Sequence, residues 1–151
     1  MQLFGDFFPK ETKEQLANEN FQVGSVLKYY VDFTTPPKVK RLIIIGFDTE
    51  KVIFASVLIN SEINPNVFQS KDLQDLHISL NSTGRDYLSH SSFVDCSNLI
   101  EQDIASIKKR LSEFPDMHIG SLSEEDLNKV KSKIKDAKTI SLATKKKYNL
   151  F

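Results

Sequence analysis

The pattern of hydrophobic and polar positions changes several times along the chain, and each change marks an element. Residues 10 to 20, "KETKEQLANEN", are polar, rich in helix formers and poor in core residues. They predict a short exposed helix or frayed leader, an appendage to the main domain. From Phe21 the texture turns β-like. "QVGSVLKYYVDF" carries β-branched and aromatic residues, and "TTPP" stops it with two prolines that cannot donate to a ladder. "KRLIIIGF" is a continuous apolar run, the pattern of a strand covered on both faces. A polar turn, "DTEK", separates it from "VIFASVLIN", so the two runs predict an antiparallel hairpin. After a loop-like "SEINPNVFQSKDLQDL", short strands are predicted at "HISLN" and "SSFVDCSNL", with "STGRDYLSH" as the loop between them. No helix-length crossover separates the first three strands, which argues against parallel βαβ units.

Beyond Asn98 the period lengthens. Ile100, Ile104, Ile107, Leu111 and Phe114 form one stripe of an amphipathic helix that must stop near Pro115. In "HIGSLSEEDLNKVKSKIKDA", Ser123 and Asp126 are spaced as a capping box and Leu122 and Leu127 as a hydrophobic staple. Leu127, Val130, Ile134 and Ala137 then make the buried face of a second helix. The tail shows no such period. The elements divide the chain into an N-terminal extension (1–20), a barrel-like domain (21–137) and a basic tail (138–151).

At 151 residues the chain suits one core, and 40 % hydrophobic with 26 % charged residues is an ordinary globular mixture. Twenty basic and twenty acidic residues cancel, so any affinity for a polyanion must be local. Charge is indeed uneven: Lys38, Lys40 and Arg41 cluster before the apolar run, and Lys138, Lys145, Lys146 and Lys147 gather in the tail. Such runs are ordinarily solvated surface. The single Cys96 excludes an internal disulfide. No apolar run approaches the roughly 20 residues of a membrane-spanning helix, and "MQLFGDFFPK" does not read as a secretory leader, so a cytoplasmic protein is predicted.

Candidate chemistry is sparse. His77, His90, His118 and Cys96 lie too far apart for a close metal motif, and no phosphate-binding glycine loop or Gly-x-Ser-x-Gly elbow is present. Neither metal nor cofactor is therefore predicted. Cys96 reads as a small core residue and His90 as a surface imidazole at a loop edge. Arg41 is the candidate that context favours: its planar, permanently charged guanidinium can grip a phosphate through two hydrogen bonds, and a rigid strand holds it at a loop mouth. The plainer alternative pairs it with Asp32 or Glu62.

The order of parts resembles the MazF/PemK family of bacterial toxin ribonucleases over roughly residues 22 to 137. "VGSVLKYYVDF" is similar to its opening strand, "KRLIIIGF" to its Arg-led apolar strand, and "VIFASVLINS" to the strand after that. "SSFVDCSNLI" matches a later strand and "HIGSLSEEDLNKVKSKI" the Gly-x-Leu-Ser entry to the last helix. The resemblance implies an α+β, mainly β fold: a small antiparallel SH3-like barrel of the MazF/PemK/CcdB type, with a C-terminal helix and additional short helices. It implies metal-independent cleavage of single-stranded RNA by a homodimer that a cognate antitoxin neutralises. The catalytic Arg falls on Arg41, where it would stabilise charge on the attacked phosphate. The positioning Thr or Ser falls on Ser61, or on Asn60 one residue earlier. Lys38 and Lys40 would hold the backbone, and Tyr29, Tyr30 or Phe33 would stack on bases. Lys40 and Leu42 flank Arg41 where the family has Gly and Pro, and the loop "TTPPKVK" is shorter than the family's and lacks Gly. Two rivals keep the barrel without catalysis: a gyrase-blocking toxin whose tail makes the contacts, which truncation after Ala137 would inactivate without unfolding, and a protein-interaction module.

Overall fold

A computed structural model describes residues 10–151. Among these residues seven strands form one antiparallel sheet that curls into a half-barrel, with helices against both faces, an α+β fold. Helix α1 (Lys10–Glu19) leads into β1 (Ser25–Val31), β2 (Lys38–Phe47) and β3 (Ile53–Asn60). There follow α2 (Lys71–Gln74), β4 (His77–Leu80), β5 (Ser92–Asp95), β6 (Ile100–Asp103), α3 (Ile104–Glu113), β7 (His118–Ser121), α4 (Glu124–Asp136) and α5 (Leu142–Lys147). The sheet order is β4-β5-β3-β2-β1-β7, with β6 also on β3.

The apolar run of β2 is explained by its place near the middle of the sheet. Leu42 and Ile44 point into a core shared with Ala17, Phe21, Leu27, Ile104, Ile107 and Leu111, so α1 and α3 cover that face. Ile43 and Ile45 point into a second core with Val26, Val57, Val94, Val130 and Ile134, which α4 covers. A strand buried on both faces has no polar face to alternate with. The predicted hairpin forms, with Arg41 opposite Ile59, Leu42 opposite Leu58 and Ile43 opposite Val57. Its turn is held by Asp48, whose Oδ1 accepts from the amides of Val52 at 2.8 Å and Ile53 at 3.0 Å.

Two segments of the barrel-like domain depart from the sequence reading. Residues Ile100–Asp103, expected as the first turn of a helix, extend along the free edge of β3, Ile100 opposite Ser56 and Asp103 opposite Ile53. Unpaired backbone groups of a sheet edge outweigh helical periodicity there. Asp103 then caps α3, its Oδ2 accepting from Ser106 N at 2.8 Å, and the helix ends before Pro115, leaving Phe114 exposed. His118–Ser121, read as part of the helix entry, pairs with β1. The final long helix begins where its cap predicts: Ser123 Oγ accepts from Asp126 N at 3.1 Å, and Val130, Ile134 and Ala137 are buried.

Both ends of the described chain are tied to the core. Ala17 of α1 is buried, and Phe21 packs edge-on against Phe54 with ring centroids 5.0 Å apart. Residues 1–9 of the expected N-terminal extension lie outside the described residues. Residues 138–151, expected as a basic tail, include α5 and bury Ile140, Lys145, Tyr148 and Leu150. A Cβ at Gly46 would stand 2.9 Å from the Tyr148 carbonyl oxygen, so glycine is what lets the tail cross β2. No helix among the described residues is long and apolar enough to cross a membrane.

Candidate functional site

The basic start of β2 and the polar end of β3 meet at one rim of the half-barrel. Strand alternation distributes their side chains. Arg41 lies beside Val39 and follows the face of Ile43 and Ile59; Lys40 and Asn60 follow the opposite face, with Leu42 and Leu58. Two clefts result. Lys38, Lys40, Arg41, Ser61, His90 and Ser92 border one of about 210 Å³, together with Val39 and Ile59. The other, about 360 Å³, is bordered by Lys38, Lys40, Asn60, Ser61, Glu62, Phe68 and Asp95 among others.

In the larger cleft several polar groups engage one another, although His77 Nε2, buried behind it, has no hydrogen-bond partner among the described residues. Lys40 Nζ donates to Asn60 Oδ1. Burial, then repulsion from Lys38, pull the Lys40 ammonium below its usual range, against the attraction of Asp95. Asp95 in turn accepts from Ser97 N at 2.9 Å and Ser97 Oγ at 2.5 Å. His77 Nε2 stands 3.6 Å from Asp95 Oδ1, while its Nδ1 donates to the Leu73 carbonyl at 3.1 Å. Ser97 is bonded to the carboxylate and not to the imidazole, so this Ser, Asp and His arrangement braces the sheet and activates no hydroxyl.

The smaller cleft is not satisfied. Arg41 Nε is buried and has no hydrogen-bond partner among the described residues. Neither Asp32 nor Glu62, the partners that plain pairing would supply, makes an ion pair with Arg41 among the described residues. Directly across the ladder stands Lys28, another cation, and like charges facing one another in a sheet are destabilising. A guanidinium with an unmet donor beside a second cation has the chemistry of an anion site. His90 Nδ1 donates to the Ser91 carbonyl at 2.9 Å, which turns Nε2 away from that bond. Ser61 adds a hydroxyl, while the buried Ser92 Oγ donates to the His90 carbonyl at 3.0 Å.

Of the residues nominated from sequence, Arg41 and Ser61 meet in this cleft and Lys38 and Lys40 border it, but the Lys40 ammonium is bonded to Asn60 on the opposite face. Tyr29 belongs to the core: it is 5 % exposed, its hydroxyl donates to Gln102 Oε1 at 2.5 Å, and Arg110 lies 5.1 Å from its ring centre. Burial pushes its phenol up to about 12, against the Gln102 bond and the Arg110 charge. It cannot stack on a base. Lys28 and Ser92 escape a sequence reading because only strand register brings them to Arg41, and His90 because its loop folds back to the rim. Cys96 is fully buried, and burial, helped by Asp95, pushes its thiol up to about 12, so it is no nucleophile. Compared with known proteins, the chain matches no family model and no curated protein.

Proposed function

We propose that this half-barrel is an SH3-like barrel of the MazF/PemK type that binds single-stranded RNA and cleaves it without a metal. The observation that carries the reading is the buried, unpartnered Nε of Arg41 in a cleft with two serines and a histidine. In the reaction a ribose 2′-oxygen attacks the adjacent phosphorus and the bond to the 5′-oxygen breaks, leaving a 2′,3′-cyclic phosphate and a 5′-hydroxyl. His90 Nε2 is the acceptor for the 2′-hydroxyl proton, solvent water gives a proton to the departing 5′-oxygen, Arg41 meets the charge that builds on the phosphoryl oxygens, and Ser61 orients the phosphate. Lys38 and Lys40 attract the backbone. In this reading the protein acts in the cytoplasm as a toxin held in check by a cognate antitoxin, and works as a homodimer.

The test is cleavage of labelled single-stranded RNA in chelator, beside Arg41→Ala and a 2′-deoxy strand. Cutting that ends in a cyclic phosphate, spares the deoxy strand and falls on the order of 10²- to 10³-fold in Arg41→Ala is the expected result. Equal cutting by the variant, or none of any RNA by folded wild-type protein, would sink the proposal.

A further inference from the structure

The cleft at Arg41 continues onto an exposed strip of the β1 and β2 ladder. Cross-strand register sets Lys28 opposite Arg41 and Tyr30 opposite Val39, and alternation puts all four side chains on one face. Farther along the same face Val26 and Ile43 are buried, but past Lys28 and Arg41 no helix among the described residues covers it. Tyr30 is 57 % exposed and Val39 53 %. An aromatic ring and a branched aliphatic thus lie open beside two like charges.

We propose that this strip is the strand-holding subsite of the cleft: a base of single-stranded RNA stacks on Tyr30 over Val39, while its phosphate lies between Lys28 and Arg41. The inference rests on the RNA reading of the cleft and adds the residue that grips a base. Stacking on an exposed ring beside cations is how sheet surfaces hold single strands regardless of sequence. The phosphate supplies what the ladder lacks, a negative group between two facing cations that the terminal nitrogens of the Arg41 guanidinium can grip. A second copy of the chain fits worse. A two-fold contact through this face would bring Lys28 and Arg41 of each copy toward those of the other.

The chain contains no tryptophan, so Tyr30→Trp in the full-length protein introduces a single indole that reports stacking directly. The probe is a short single-stranded oligodeoxynucleotide, which lacks the 2′-hydroxyl and is not cut. Binding should quench the indole, Tyr30→Ala should weaken affinity roughly ten-fold, and Lys28→Gln should lower the salt slope by about one. Tyr30 and Lys28 are exposed, so unchanged melting curves are expected for all three variants. Arg41-dependent binding with no change in the indole overturns the stacking subsite and leaves the cleft reading intact. If wild type and Arg41→Ala bind the strand equally, or neither binds it, the phosphate cleft itself falls and the subsite with it. A wild-type dimer that Tyr30→Ala dissociates in sedimentation would assign the face to a second copy and overturn the proposal.

Discussion

Lys145, Lys146 and Lys147 near the C-terminus and Lys38, Lys40 and Arg41 at the start of β2 look alike as charge runs, yet the fold uses them oppositely. Lys145 is buried and donates to the carbonyls of Lys135 at 2.8 Å and Ala137 at 2.7 Å, closing the C-terminal end of α4 where the helix dipole favours a cation. Lys147 reaches Glu101 Oε2 at 3.0 Å, and Tyr148 donates to the same oxygen at 2.5 Å. Two of these cations have their partners inside the protein. At β2, Lys40 finds Asn60, but Arg41 keeps an unmet donor and faces Lys28. What separates a cation spent inside the fold from one left open is whether its hydrogen bonds are already made, which no count of lysines reveals.

The largest expected effect comes from deleting the chain after Ala137. The deletion takes Ile140, Tyr148 and Leu150 out of the core and exposes the residues they cover, at about 1.5–3 kcal/mol per buried side chain lost. The sum is on the order of 5–9 kcal/mol, against about 5–15 kcal/mol for a whole domain. No cooperative thermal transition should remain by circular dichroism; a truncated chain that melts sharply would show the tail to be dispensable. For the same reason truncation cannot separate a gyrase-type toxin from a nuclease, since it removes the fold along with the tail.

Next in size is Lys145→Met, which keeps the aliphatic stem but leaves the α4 carbonyls without their donor. It should cost about 2–3 kcal/mol, a fall of roughly 5–10 °C in Tm for a chain of this length. Arg41→Ala, in contrast, should leave Tm nearly unchanged while lowering RNA cleavage on the order of 10²- to 10³-fold. Reversal of this pattern would mean that the two clusters have been assigned the wrong way round.

The smallest effect concerns acid. The Tyr148 hydroxyl, then Lys147, hold the Glu101 carboxyl below its usual range, against a burial effect that raises it. A depressed folded-state pKa contributes stability above the usual carboxylate range, and that contribution is lost as pH falls through the depressed value. Glu101 is partly exposed, so the amount is under about 1 kcal/mol. Glu101→Gln should lower Tm slightly at neutral pH and flatten its fall in acid; an unaltered acid limb would show that the tail contact contributes nothing.

Much of the fold was legible in the chain. The β2 and β3 hairpin, the Ser123 cap, the α4 stripe and the stop at Pro115 all follow from local pattern, because turns, caps and amphipathic faces are set by neighbours in sequence. Local pattern misleads at Ile100–Asp103, where the isoleucine spacing suits a helix and only the vacant edge of β3 makes a strand. Tyr29 and Tyr30 show the limit most sharply. They are adjacent and chemically identical, but one is sealed against Gln102 and the other open beside Arg41. Which of the two is free depends on the strand's face.

By itself the sequence determined where the main elements lie, that the charge is concentrated at two places, and that Arg41 stands at the start of a rigid strand. Only the tertiary structure decided which cations are spent on helix ends and carboxylates, that Asn60 and Arg41 part to opposite faces, and that Lys28, Ser92 and His90 gather at the rim. The physical reason is that hydrogen-bond satisfaction and side-chain facing are properties of pairs distant in sequence, fixed by ladder register and burial and unstated by any local pattern.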